Sequence, residues 1–249
     1  MSLPLQEHIE KDGFRLRGLE VSRIDAFSDV VFGFALTLLV VSLEVPKKYS
    51  EFHANLREFL PFAVSFGFLM MVWYSHYKYF RRFGTHDFGT IVINSTLLFV
   101  VLFYVYPLKF LFMVAGAGLT GDAGRFFENS LQVRELMMLY GFGFAAIYLL
   151  FATLYWNGLR QGRRLDLTGL ERLLTRGYMF QAAAVGLVGL LSSLAAWLLP
   201  PDLAGGAGWV YLLVFVVRLI ARMVTRRRVA RFRALHKLTD PPRAVLPTL

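Results

Sequence analysis

Arg23, Ser28 and Asp29 head an apolar run, RIDAFSDVVFGFALTLLVVSLEVP, and Trp73, His76 and Asn94 are embedded in two others. A hydroxyl, an imidazole and a carboxylate are the parts of a hydrolytic set, but their context argues against that use. There is no Gly-x-Ser-x-Gly elbow to present a nucleophile, and no second polar group at a spacing that would build an oxyanion hole. His76 has no His-Glu-x-x-His motif and no partner histidine within an apolar run, so no metal site is expected. No catalytic residue and no cofactor are expected either, and the chain does not read as an enzyme. Hydrogen bonding remains. A carboxylate at the bilayer centre costs about 2.5–3.5 kcal/mol even on a lenient insertion scale, so Ser28 and Asp29 must turn toward protein or water. Interhelical bonds between such groups contribute about 0.6–2 kcal/mol each, which suits Trp73, His76 and Asn94 to holding the first helix in place.

Long apolar helices must carry these residues. Hydrophobic residues make up 56% of the 249 positions and charged residues only 18%, against about a quarter in soluble domains. A membrane crossing needs about 20 mostly apolar residues, and six stretches qualify: 24–45, 59–80, 88–115, 135–158, 177–199 and 208–225. The expected fold is all-α, a polytopic membrane protein with six transmembrane helices. Pro107 is placed to kink the third span, and LPPDLAGGAG forms a tight turn between the last two. In RQGRRLDLTGLERLLTRG, Thr168 and Glu171 have capping-box spacing, which predicts a short interfacial helix leading into span five.

Basic residues set the direction. With the N-terminus, the loops after spans two and four and the C-terminal end on one side, that side holds 21 of the 27 Lys and Arg residues. Such an excess marks the cytoplasmic face. The chain then divides into a cytoplasmic N-terminal segment, 1–22, a six-helix domain, 23–226, and a basic cytoplasmic tail, 227–249. The apolar spans and inward-facing termini imply a multi-pass protein of the cell's inner membrane. The formal charge of +10 and the run RRRVARFRALHK are explained by anionic lipid headgroups at that face rather than by nucleic acid. Arg218, Arg222 and Arg226 recur every fourth position and read as the cytoplasmic flank of span six, not as a voltage sensor. Residues 1–22 lack the apolar core of a signal peptide, and the absence of cysteine excludes disulfides and thiolate chemistry.

Opposite the polar face of span one, Phe27, Val30 or Val31, Phe34, Leu38, Val41 and Val45 recur at three- and four-residue steps and form one stripe, with Thr37 beside it. Periodicity alone leaves this stripe open to a packed core, a lipid-facing surface or the lining of a constricted pore, where apolar rings gate by dewetting.

RIDAFSDVVFGFALTLLVV resembles the Arg-x-x-x-Phe-Ser-Asp signature and following helix of the transmembrane protein 175 potassium channels, with Arg23, Phe27, Ser28 and Asp29 in the signature positions. The resemblance continues through Trp73, His76 and Asn94 and the six-span layout. It implies a homotetramer with helix 1 lining a central pore, no Thr-Val-Gly-Tyr-Gly filter, and K⁺ as the permeant ion. It implies a constriction at Phe34, Leu38 and Val41, a threonine ring at Thr37, and a network joining Arg23, Ser28 and Asp29 to Trp73, His76 and Asn94. Phe34 stands where the family usually has an aliphatic residue, and Val41 where it usually has leucine. Two rival readings are a proton-coupled transporter using Asp29 and His76, which lacks the paired Gly/Pro helix breaks such proteins use, and a non-conducting membrane scaffold or signalling protein, for which Phe34 is the best argument.

Overall fold

Helix α1, Arg23–Val41, starts where the chain offers a cap. Ser22 and Asp25 bond reciprocally, Asp25 N to Ser22 Oγ at 3.2 Å and Ser22 N to Asp25 Oδ2 at 3.2 Å, which satisfies amide groups left over at a helix start. Five more helices follow: α2 Tyr49–Phe83, α3 Phe88–Thr120, α4 Ser130–Arg160, α5 Gly169–Leu198 and α6 Leu213–Leu235. A 3₁₀ turn, Ala123–Phe126, precedes α4, and a 3₁₀ segment, Pro201–Leu212, carries the α5–α6 hairpin. This computed structural model describes residues 9–41, 49–120 and 123–236. Ser42 and Val45 of the expected first span lie outside the described residues. All six expected spans are present as helices long and apolar enough to cross a membrane.

Two boundaries differ from expectation. The capping box on Thr168 and Glu171 exists, but it opens α5 itself. The expected short interfacial helix is the first two turns of one continuous helix, since no Pro interrupts Leu170–Met179 and Gly177 is accommodated within the helix, facing Thr225. At the other end, α6 continues to Leu235, well past residue 226.

Helices α4 and α5 form the centre of the bundle. They cross where small residues let the backbones touch. A Cβ on Gly141 would lie 2.1 Å from Ser193 Oγ and 2.7 Å from Gly189 O, and Ser193 Oγ donates to Met138 O at 3.0 Å. Small residues at such crossings are the membrane counterpart of a packed apolar core. Leu97, Val101, Ile147, Leu154 and Val185 belong to the buried apolar core that α3, α4 and α5 share. Helix α3 runs through Pro107, whose carbonyl accepts the hydroxyl of Tyr140. By contrast, among the described elements α1 packs only against α2 and α3, at one edge of the bundle, and α6 has no fully buried residue.

Residues 9–22 are folded against the basic end of the bundle, an order that their charge alone did not suggest. Phe14 is fully buried beside Phe83. Arg15 and Arg17 both reach Glu171, with Arg17 Nη2 2.9 Å from Oε2, and Arg82 pairs with Glu10 and with Asp12 at 2.6 Å. Arg81 donates to the carbonyl of Gly18 at 2.9 Å. Only glycine fits there, because a Cβ would stand 2.3 Å from Phe80 O.

Arg218 also departs from expectation. It is not a flank residue. Its Nη2 donates to the hydroxyl of Tyr148 at 2.7 Å, and its Nη1 lies 3.1 Å from Met71 Sδ, so it enters the bundle between α2 and α4. Tyr148 is 12 residues from the end of α4 at Arg160, about 18 Å along the axis, which is mid-span depth.

Candidate functional site: the first helix

The two faces of α1 have opposite surroundings. Ser28, Phe32, Ala35 and Leu39 are buried against α2 and α3. Phe27, Val30, Phe34, Leu38 and Val41 are exposed by 51–74%. Because 3.6 residues make a turn, both sets recur at three- and four-residue steps on opposite sides of one cylinder.

The buried face is fixed by a polar relay. Ser28 Oγ donates to Ile24 O at 2.7 Å and so can only accept from its other side. Asn94 on α3 supplies that donor, Nδ2 to Oγ at 2.9 Å. Its carbonyl oxygen then faces His76 on α2, with Nε2 2.8 Å away. The amide's orientation therefore requires His76 to donate from Nε2. Phe32 and Phe80 pack against the imidazole, with ring centres 5.5 and 4.5 Å from it, and Ser28, His76 and Asn94 are all buried, where a missing partner is costly.

A second link lies nearer the surface, where Trp73 Nε1 donates to Asp29 Oδ1 at 2.8 Å. Asp29, Asp25 and His76 border a crevice of about 290 Å³ between the N-terminal segment and α2. The structure thus brings Ser28, Asn94 and His76 together, and Asp29 with Trp73. It does not bring Arg23 or Phe27 to either link. Both are exposed at the start of α1, and Arg23 makes no ion pair among the described residues.

On the open face, Thr37 Oγ1 donates to Gly33 O at 2.9 Å. With its proton committed to the backbone, the hydroxyl turns its lone pairs outward, as an acceptor for a cation or water. Phe34, Leu38 and Val41 flank it above and below. Sequence reasoning did not single out Phe32, Phe80 or the Ser22–Asp25 cap. The cap had a signal in the Ser-x-x-Asp spacing ahead of an apolar run. The two phenylalanines had none among 24 in the chain.

Fold and site define a multi-pass helical membrane protein that anchors its first helix by buried polar bonds and leaves that helix's apolar face unpartnered among the described residues. The family described as endosomal/lysosomal potassium channel TMEM175 matches residues 23–104. A potassium channel of Marivirga tractuosa is 39% identical over 187 residues, 72% of this chain and 76% of that one. The crystal structure of a variant of the potassium channel MtTMEM175, in complex with a nanobody–MBP fusion, is similar at 33% identity with a TM-score of 0.76, covering 86% of this chain and 97% of that one. A crystal structure of a lysosomal potassium-selective channel TMEM175 homolog from Chamaesiphon minutus, 24% identical with a TM-score of 0.52, covers 80% of this chain and 96% of that one and shares the fold. The chain belongs to the transmembrane protein 175 family.

Proposed function

We propose that the protein is a potassium-selective channel in which four copies gather their α1 helices around a central axis. The carrying observation is the division of α1: its polar side is satisfied by α2 and α3, while Phe34, Leu38 and Val41 stand exposed at the edge of the chain. The membrane is the inner membrane, with both termini on the cytoplasmic side, as the distribution of basic residues supports. K⁺ flows passively down its electrochemical gradient and is the one ion the protein handles; no resident cofactor takes part.

The steps follow from the side chains. At the level of Thr37, outward lone pairs from each copy replace part of the hydration shell of K⁺. Above and below, rings of Phe34, Leu38 and Val41 offer nothing in exchange for water, so each ring is a dehydration barrier. Conduction requires those rings to widen, by tilt of α1 or by rotation of the Phe34 rings. The buried relay keeps the helix from turning its polar side to the ions.

Liposomes holding a K⁺ gradient test the assignment. Leu38→Ala and Phe34→Ala are expected to raise K⁺ flux several-fold and lower the K⁺/Na⁺ ratio, and Thr37→Val to lower the ratio while leaving the protein folded. Unchanged flux and ratio in all three variants would remove α1 from the pathway.

A further inference from the structure

The basic end of the bundle holds a cavity of about 850 Å³ that belongs to none of the machinery above. The backbones of α2 and α6 stand apart there, bridged by the Arg218 side chain reaching Met71, and form its two walls, while α4 and α5 form its floor. Among the described residues, seven basic side chains line it against a single carboxylate, Asp12. Four residues on one face of α6, Arg218, Arg222, Arg226 and Arg233, run down one wall from mid-span to the basic end. Lys78 and Arg82 stand on the opposite wall. The floor is apolar and aromatic, with Phe151, Tyr155 and Val185 among its residues.

Four of these charges lack an anionic partner. Among the described residues no carboxylate lies within ion-pair reach of Lys78, Arg218, Arg222 or Arg226. Arg82 pairs with Glu10 and Asp12, yet it is 98% buried and its Nε has no hydrogen-bond partner. The buried Nε of Arg218 is likewise unsatisfied. A cation at mid-bilayer depth is strongly disfavoured unless an anion or water reaches it. Tyr148 and Met71 offer Arg218 a hydroxyl and a sulfur but no negative charge.

We infer that this groove is a binding site for the phosphate headgroup of an anionic lipid from the adjoining leaflet. Guanidinium groups match phosphate oxygens two at a time, and basic pockets between helices at the cytoplasmic side suit acidic headgroups. A lipid fits better than a soluble anion because the cavity is half apolar and the neighbouring outer face of α6 is hydrophobic. Phe215, Leu219, Ile220 and Met223 there are exposed by 44–73%, a track for acyl chains. No lining residue comes from α1, so the inference does not depend on the conduction pathway.

The test is native mass spectrometry of the full-length protein in detergent, titrated in parallel with dioleoyl phosphatidylglycerol, dioleoyl phosphatidylcholine and inorganic pyrophosphate. The parent is expected to retain phosphatidylglycerol at least tenfold better than phosphatidylcholine. Arg222→Gln with Arg226→Gln should reduce that preference to within twofold. Arg227→Gln with Arg228→Gln removes the same charge outside the cavity lining and should leave it intact. Ala230→Trp, which fills the groove without changing charge, should also expel the lipid and covers the case in which the double variant misfolds. Equal losses from both arginine pairs, no preference in the parent, or displacement of the lipid by equimolar pyrophosphate would each overturn the assignment.

Discussion

Ser28 donates its hydroxyl proton to its own helix, and that one bond orients every polar group behind it. Asn94 must present its amide nitrogen to Ser28 and its oxygen to His76. Replacing the middle member strands both neighbours. Asn94→Leu should therefore cost about 1–3 kcal/mol, the penalty of buried polar groups left unpaired, read as a lowered unfolding midpoint of the solubilised protein. His76→Phe added to Asn94→Leu should cost much less than the sum of the two single changes, because the second removes a donor that already has no acceptor. Strict additivity would contradict the relay. Much of this residue-level picture was legible beforehand. The stripe on α1 follows from 3.6-residue spacing, and polar groups in apolar runs must find one another. Arg218 was not legible, because an arginine near the end of an apolar run reads the same at an interface or inside a bundle. Only the packing of α6 over Tyr148 and Met71 separates those cases.

Among the elements, α3 shows how a loop residue sets a helix. Asp87 stands just before it and accepts from Thr90 N at 3.3 Å and Thr90 Oγ1 at 2.5 Å, while Gln161 at the end of α4 donates to it at 2.7 Å. Burial alone would raise the pKa of this carboxyl, but the bonds from Thr90 and Gln161 outweigh it and hold it below its ordinary 3.8. A depressed carboxyl contributes stability above its unfolded pKa and loses it as pH falls through the folded value. The gap in thermal midpoint between the parent and Asp87→Ala should therefore be flat from neutrality down to about pH 4, and close below that. A gap that widens with acidification would mean that the protonated form is the one the fold prefers. Six spans could be counted from hydropathy because each is apolar over 18 residues or more. The strap of residues 9–22 could not, since Arg15 and Arg17 meet Glu171 more than 150 positions away and no local pattern encodes a contact of that range.

For the molecule as a whole, the position of α1 is decisive. Among the described elements α1 touches only α2 and α3 and exposes Phe34 and Leu38, and in the proposed assembly copies gathered around that face would cover it. The sequence has no cysteine, so a single introduced thiol reports without interference. In the reconstituted protein, oxidation or a short thiol cross-linker should couple Leu38→Cys between copies efficiently. Leu219→Cys, on the outer face of α6, should stay monomeric under the same treatment. The reverse pattern would place α6 rather than α1 at the axis. The stripe and the six spans suggested this assembly only together with the resemblance, because hydropathy cannot tell a surface that meets lipid from one that meets its own copies.

The clamp at Gly18 and the first turn of α1 are separated by only four residues, Leu19–Ser22. Such a short leash pins one end of the helix to the basic end of the bundle, so any displacement of the helix is constrained to a swing about a pivot near Ser22 rather than a slide along its axis. With a rise of 1.5 Å per residue, a swing of roughly 10° would displace Phe34 by about 3 Å and Val41 by about 5 Å. Small adjustments where the strap meets α2 and α5 are thereby magnified along α1, most of all at its far end.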